Sequence, residues 1–89
     1  MLEIIQRNTF LKNVKALKKK HYPLEQLYKV VDILSKGDIL PGKYHDHFLV
    51  GEWKGCRECH IAPNWLLIYV ITETEVILVA TGSHDDLFK

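Results

Sequence analysis

The sequence lacks a long hydrophobic run, internal repeats and low-complexity tracts. Its longest apolar stretch, residues 65–71, is far shorter than the ~20 residues of a membrane-spanning helix. The start has no cationic leader followed by a long apolar segment, so we expect no secretory signal and no membrane partner. A cytoplasmic protein with reduced thiols is therefore the expectation.

Size and composition predict a single domain over residues 1–89. A chain of 89 residues leaves no room for a second core, and 47% hydrophobic with 26% charged residues is typical of a globular protein. The net charge of +1 hides a basic stretch that contains Lys12, Lys15, Lys18, Lys19, Lys20 and His21. Such a stretch suits a polyanion, although a solvated helix face has the same pattern.

Hydrophobic periodicity predicts an α+β fold. Residues 2–6 read as an edge strand, residues 9–20 as an amphipathic helix capped by Asn8 or Thr9, and a second helix starts at Pro23 and ends near Lys36-Gly37. The two helices should form an antiparallel hairpin. An antiparallel meander follows, with strands predicted at 48–52, 56–62, 65–72 and 75–80, and then a loop or short helix over 82–88 that is capped by Ser83.

Three histidines in the second half are the candidate catalytic residues: His47, His60 and His84. They fall at strand ends, which a meander can bring to one sheet face. Histidine titrates near neutral pH, so a cluster can donate and accept protons without a metal. Ordinary polar surface histidines remain the alternative.

The segment Cys56-Arg57-Glu58-Cys59-His60 matches a haem-attachment pattern, but strand alternation sends the two cysteines to opposite faces. A redox pair would need a helix N-terminus, which a predicted strand does not provide. Zinc bound by both cysteines with His45 and His47 is a better alternative, although the histidine spacing is unusual. Cys59 as a small buried hydrophobic residue is the simplest interpretation.

Aromatic and basic residues near the strand ends could bind RNA. Trp53 and Trp65 either belong to the core or stack on a base, and Phe88 packs either onto the site or against the helices. Arg57 and Lys54 are candidate phosphate contacts, with surface salt bridges as the alternative.

Five segments together resemble the YafQ-like toxins of the RelE superfamily: residues 44–49, Trp53-Lys54-Gly55, residues 57–61, residues 63–69 and residues 81–88. The resemblance extends along nearly the whole chain in element order. It implies the toxin of a type II toxin–antitoxin module, which enters the ribosomal A site and cuts mRNA by attack of a ribose 2′-hydroxyl on the adjacent phosphate. No metal or cofactor is implied, and the partners are the ribosome, mRNA and an antitoxin of the DinJ/RelB type.

The resemblance also assigns site residues and shows two departures. His47, His60 and His84 match the family's functional histidines, Phe88 its C-terminal aromatic residue and Trp65 a base-positioning residue. Asn64 replaces a usual aspartate and can orient a histidine but cannot take its proton. Ala80 replaces a usual arginine that would clamp the phosphate, so we expect weakened activity unless Arg57 or a lysine substitutes.

Two other classes of function remain open. A ParE-like toxin would share the fold and inhibit a target such as gyrase by binding, but such chains lack this histidine set. A module that only binds RNA or a protein would use the histidines structurally. Cleavage of reporter mRNA in a translating extract separates catalysis from both.

Overall fold

The computed structural model describes residues 1–88 and confirms the α+β class. Within this range no helix is long and apolar enough to cross a membrane. In chain order the helices and strands are β1 (Glu3–Gln6), α1 (Asn8–Lys19), α2 (Leu24–Ser35), β2 (His47–Phe48), β3 (Arg57–Ala62), β4 (Trp65–Ile71), β5 (Glu75–Gly82) and α3 (His84–Leu87).

The strands form one sheet in the order β1-β5-β4-β3-β2. β1 lies at one edge, parallel to β5, and the remaining pairs are antiparallel. The predicted edge strand and the predicted meander are therefore both present. β2 forms the other edge, so this edge is made by only two residues.

The two helices cover one face of the sheet because each has one apolar side. α1 buries Phe10 and Leu17 and packs mainly against β5, while its basic residues point to solvent. α2 contributes Leu27, Val30, Val31 and Leu34. These side chains form one core with sheet residues that include Cys59, Leu67, Tyr69 and Leu78.

Alternation along the strands gives the sheet a second face with different residues. Cys59 and Ile61 of β3 join the helix-covered core, whereas Glu58 and His60 alternate with them in sequence and point the other way. We call the side that carries Glu58 and His60 the open face.

The prediction of a strand at 48–52 is wrong for most of its length. Pairing with β3 is limited to His47 and Phe48, and Gly51–Trp53 forms a 3₁₀ turn instead. Gly51 has φ +72, which turns the chain away from the sheet. Val50 consequently remains 86% exposed.

The predicted cap of α1 is also wrong. Asn8 is the first helical residue, and Arg7 stands at the N-cap position without a side-chain cap. Pro23 precedes α2 by one residue, so its fixed φ leads into the helix from outside. The Ser83 cap of α3 is confirmed, because its side chain accepts a hydrogen bond from the Asp86 amide at 3.1 Å.

Candidate active site

One row of residues crosses four strands of the open face. His47 on β2 pairs with Glu58 on β3, Glu58 with Ile68 on β4, and Ile68 with Ala80 on β5. Directly opposed residues on adjacent strands share a sheet face. The sheet register therefore places a histidine, a carboxylate and Ala80, where the resemblance implies an arginine, on one line.

Glu58 lies between two of the predicted catalytic histidines. Its Oε1 is 3.4 Å from Nε2 of His47 and 3.5 Å from Nε2 of His60. The Glu58 side chain is 7% exposed, while the side chains of His47 and His60 are 50% and 33% exposed. A nearly buried carboxylate thus supports two imidazoles that solvent, or a substrate, can reach.

The backbone fixes the ring of His47. Its Nδ1 is 2.8 Å from the carbonyl oxygen of His45. A carbonyl oxygen only accepts, so Nδ1 must carry the hydrogen in this contact. In the neutral ring Nε2 is then the nitrogen with the lone pair, and it is the nitrogen directed to the open face beside Glu58.

His45 adds a third imidazole to this group. Its ring centroid is 5.6 Å from that of His60, and the His47 centroid is 6.3 Å from His60. His45 has φ +48, a left-handed conformation that follows the 3₁₀ turn Gly42–Tyr44. This turn aims the exposed ring of His45 at His60 and its carbonyl at His47.

His84 and Phe88 form a neighbouring aromatic group with Trp53. The ring centroids are 5.0 Å apart for His84 and Phe88, and 5.9 Å apart for Trp53 and Phe88. Within residues 1–88 no ring contact joins His84 to His47 or His60. The ring contacts of the predicted trio thus form two groups, a His47–His60 pair and a His84–Phe88 pair at the start of α3.

Asn64 links the β3–β4 turn to this second group. Its Oδ1 accepts a hydrogen bond from the backbone amide of His84 at 3.3 Å. The amide side chain thus positions the backbone of His84, while Phe88 holds the His84 ring.

Trp65 is not at the open site. Its side chain is 3% exposed and joins the helix-side core, where the ring meets Tyr22 edge-on at 5.1 Å. Its indole N–H donates to the Thr81 hydroxyl at 3.0 Å. The ring is enclosed, so the stacking role suggested by sequence has no accessible surface here.

Arg57 also lies away from the two histidines. It follows the alternation of Cys59 and donates to the Asp46 carboxylate, with Nη2 at 2.6 Å, while the Tyr69 hydroxyl donates to the same carboxylate. Hydrogen bonding with Asp46 raises the pKa of the Arg57 guanidinium. Its guanidinium carbon also lies 4.2 Å from the centroid of Phe48. These contacts make Arg57 part of a structural cluster with Asp46, Tyr69 and Phe48.

The two remaining predicted positions differ in exposure. Ala80 is 1% exposed and lies in the row that contains Glu58 and His47. Lys54 is exposed at the end of the 3₁₀ turn Gly51–Trp53, and its role as a phosphate contact remains a prediction.

The cysteines do not form a metal site with the histidines. Among residues 1–88 no group of three or more His, Cys, Asp and Glu side chains has the geometry to hold a metal ion. Cys59 is fully buried on the helix side, and burial raises the pKa of its thiol to about 12. Its side chain therefore remains a neutral thiol, as the simplest interpretation of the sequence predicted.

Sequence reasoning missed Glu58 and His45 as members of the site. Alternation along the strand already placed Glu58 on the face of His60, which was the available signal. His45 was considered only as a zinc ligand, because its orientation toward His60 depends on a left-handed backbone conformation that the neighbouring residues do not predict.

Comparison with known proteins defines the class of the molecule. Residues 2–89 match the family described as "Bacterial toxin of type II toxin-antitoxin system, YafQ". The chain belongs to this family. It is 38% identical over 80 residues to the Escherichia coli K12 protein named mRNA interferase toxin YafQ, and the match covers 89% of this chain and 87% of the relative.

Solved structures agree with this assignment. YafQ in the E. coli DinJ-YafQ complex is 34% identical and superimposes with a TM-score of 0.92, over 100% of both chains. A metal-bound toxin from Helicobacter pylori is 44% identical, with a TM-score of 0.92 over 99% of this chain and 100% of the other.

Proposed function

We propose that this toxin is a ribosome-dependent endoribonuclease that cuts mRNA in the A site. The main supporting observation is the pair His47 and His60, both accessible and both within 3.5 Å of one buried carboxylate oxygen. The names of its E. coli relatives as mRNA interferase toxins support the same class of reaction.

The reaction requires one proton acceptor and one proton donor. A base removes the proton of the ribose 2′-hydroxyl, the 2′-oxygen bonds to the adjacent phosphorus, and the bond from phosphorus to the 5′-oxygen breaks. The departing oxygen takes a proton from an acid. The products are a 2′,3′-cyclic phosphate and a 5′-hydroxyl, and no other reactant is needed.

The geometry suits His47 as the base and His60 as its partner near the phosphate. His47 holds its hydrogen on Nδ1 and presents the lone pair of Nε2. Glu58 can accept a hydrogen from either Nε2, so the site can hold the transferred proton on either ring. We assign His84 as the acid or a phosphate contact, with Phe88 holding its ring.

Ala80 leaves this site without the arginine that the family resemblance implies in the same row. Electrostatic groups of this kind commonly contribute about 10²–10³ in rate. Arg57 is paired with Asp46 and cannot take over this role. The activity of the chain is therefore weakened compared with a sequence that has arginine at position 80.

The proposed partners are the ribosome, its bound mRNA and an antitoxin similar to DinJ. The E. coli relative is found in a complex with DinJ, and its fold matches this chain over the full length. The exposed lysines of α1 offer a basic surface for ribosomal RNA.

No step of the proposed reaction uses a metal. The H. pylori relative is described as metal-bound, and the proposed steps use only the imidazoles and the Glu58 carboxylate.

A translating extract with a reporter mRNA tests the proposal. The chain as given and its Ala80→Arg variant should both produce cuts at A-site codons, faster with arginine, and neither should cut the same mRNA without ribosomes. If expression of either form in cells arrests growth but neither form cleaves mRNA, the result would instead support a ParE-like toxin that acts by binding.

A further inference from the structure

A cavity of about 540 Å³ lies beside the His47–His60 pair. It is formed between α2, the 3₁₀ turn Gly42–Tyr44 and the end of β3. His45 and His60 belong to its wall, so the cavity and the candidate active site share two side chains. The lining residues are Gln26, Lys29, Lys43, Tyr44, His45, His60, Ile61, Ala62 and Pro63.

The polar lining consists of hydrogen-bond donors and lacks carboxylates. Lys29 and Lys43 bring two positive charges, and Gln26, Tyr44 and the two histidines add further donors. Within residues 1–88 neither lysine has a salt-bridge partner, and Lys43 rests over the Tyr44 ring at 5.2 Å. This arrangement favours an anion.

The remaining wall is apolar and the volume exceeds that of one phosphate. Ile61, Ala62 and Pro63 form this side. Cavities of roughly 300–1,000 Å³ hold small organic ligands. A nucleotide, with a phosphate for the lysines and a ribose and base for the apolar wall, therefore fits better than an inorganic anion.

We propose that this cavity binds the mRNA nucleotide that adjoins the dinucleotide containing the scissile phosphate. This inference rests on the proposed nuclease function, because it uses His60 as the point where the strand passes from the cavity to the reacting atoms. Lys29 and Lys43 bind the phosphate of the adjoining nucleotide, and His45 lies between that phosphate and His60. These are positioning residues that hold the strand in register.

Binding of short RNAs tests the cavity separately from cleavage. The probes are a 2′-O-methyl dinucleotide that spans the scissile bond, and two trinucleotides that extend it by one nucleotide in either direction. One of the two extensions should tighten binding about tenfold, as expected for added charge-assisted hydrogen bonds. Lys29→Gln/Lys43→Gln should remove this gain and leave affinity for the dinucleotide unchanged.

Two control variants have distinct expectations. Lys12→Gln/Lys15→Gln removes the same charge from the exposed face of α1 and should keep the gain. Lys29→Arg/Lys43→Arg retains the charge and should also keep it. The salt dependence of binding gives a second readout, as the slope of log affinity against log salt concentration. In the double variant Lys29→Gln/Lys43→Gln this slope should become shallower by about 0.7 for each phosphate contact that is lost. In both controls the slope should stay the same.

Either of two results would overturn the inference. One is that neither extension improves binding, or that the gain survives Lys29→Gln/Lys43→Gln. The other is that a hexaglutamate peptide binds the cavity as tightly as the extended RNA, which would indicate a site for an acidic protein segment. A chain that cuts mRNA without the gain refutes the cavity alone, whereas the gain without any cleavage refutes the nuclease alone.

Discussion

The two faces of the sheet differ in chemistry although they alternate residue by residue along the same strands. On β3, Cys59 and Ile61 are sealed beneath the helices, while Glu58 and His60 face the other way beside His47. The helix side is apolar and supplies the packing that stabilises a small domain. The open side holds a nearly buried carboxylate with the imidazoles of His47 and His60 within 3.5 Å of it. Substitutions on one face should therefore change stability, and substitutions on the other should change activity.

The largest effect is expected for the two histidines of the open face. His47→Asn and His60→Asn should each lower the rate of mRNA cleavage by about 10²–10⁴, because each removes a group that transfers or holds a proton. The melting temperature should change little, since both side chains are accessible. His21→Asn is the matched control, because His21 is exposed in the connection after α1. Equal loss in all three variants would contradict the assignment.

Arginine at position 80 should have the opposite effect. Ala80→Arg adds a guanidinium to the row that contains Glu58 and His47, and should raise the cleavage rate by about 10²–10³. Ala80→Leu is the control for size without charge. The cleavage rates of the two variants in a translating extract separate electrostatics from packing, and equal rates would show that the charge has no role.

Replacement of His84 should lower the cleavage rate less than replacement of His47 or His60. In the Ala80→Arg background, His84→Ala should reduce A-site cleavage, since His84 is assigned as the acid or a phosphate contact. Phe88→Leu should cause a partial loss, because Phe88 holds the His84 ring at 5.0 Å. Undiminished cleavage by His84→Ala would remove this residue from the mechanism.

A core substitution on the helix side should lower stability and leave the activity of the folded protein unchanged. Leu67→Ala removes a fully buried side chain of β4 and should lower the free energy of unfolding by about 2–5 kcal/mol. Cleavage by the folded fraction should remain, because Leu67 faces away from the histidines. Denaturant unfolding measures the loss; a change below ~1 kcal/mol would mean that this face does not carry the core.

The smallest effect concerns pH and the Cys59 thiol. In the folded chain burial raises the pKa of Cys59 from its ordinary 9.0 to about 12. The unfolded chain thus ionises first, so the stabilising contribution of the neutral thiol is present below pH 9 and is lost as pH rises toward 12. Cys59→Ala should flatten the decline of unfolding free energy over this interval, whereas Cys56→Ala should not. Identical slopes would contradict a buried neutral thiol.

Hydrophobic periodicity predicts most of the fold, and the errors of this prediction have local causes. The helices and the strands β3, β4 and β5 have regular apolar patterns, and the apolar residues of these patterns form the core. The strand predicted at 48–52 fails because a left-handed glycine turns the chain after two paired residues. Apolar residues such as Phe48 and Val50 suggested a strand, but both remain exposed.

The candidate site is harder to predict from sequence than the fold, because the site depends on strand register. Sequence identified His47 and His60, and alternation placed Glu58 beside His60. One oxygen of Glu58 lies within 3.5 Å of both imidazole rings because β2 pairs with β3. The sequence does not define this pairing. The sequence left Trp65 open between core and base stacking, and its burial selects the core.

The most direct test is NMR of the histidine rings during addition of a 2′-O-methyl RNA that cannot be cut. The proposal predicts that the imidazole signals of His47 and His60 move first, while the methyl signals of Leu67 and Leu78 on the helix side stay in place. Shifts confined to the lysines of α1, with both imidazoles unmoved, would contradict the claim that RNA binds across the open face.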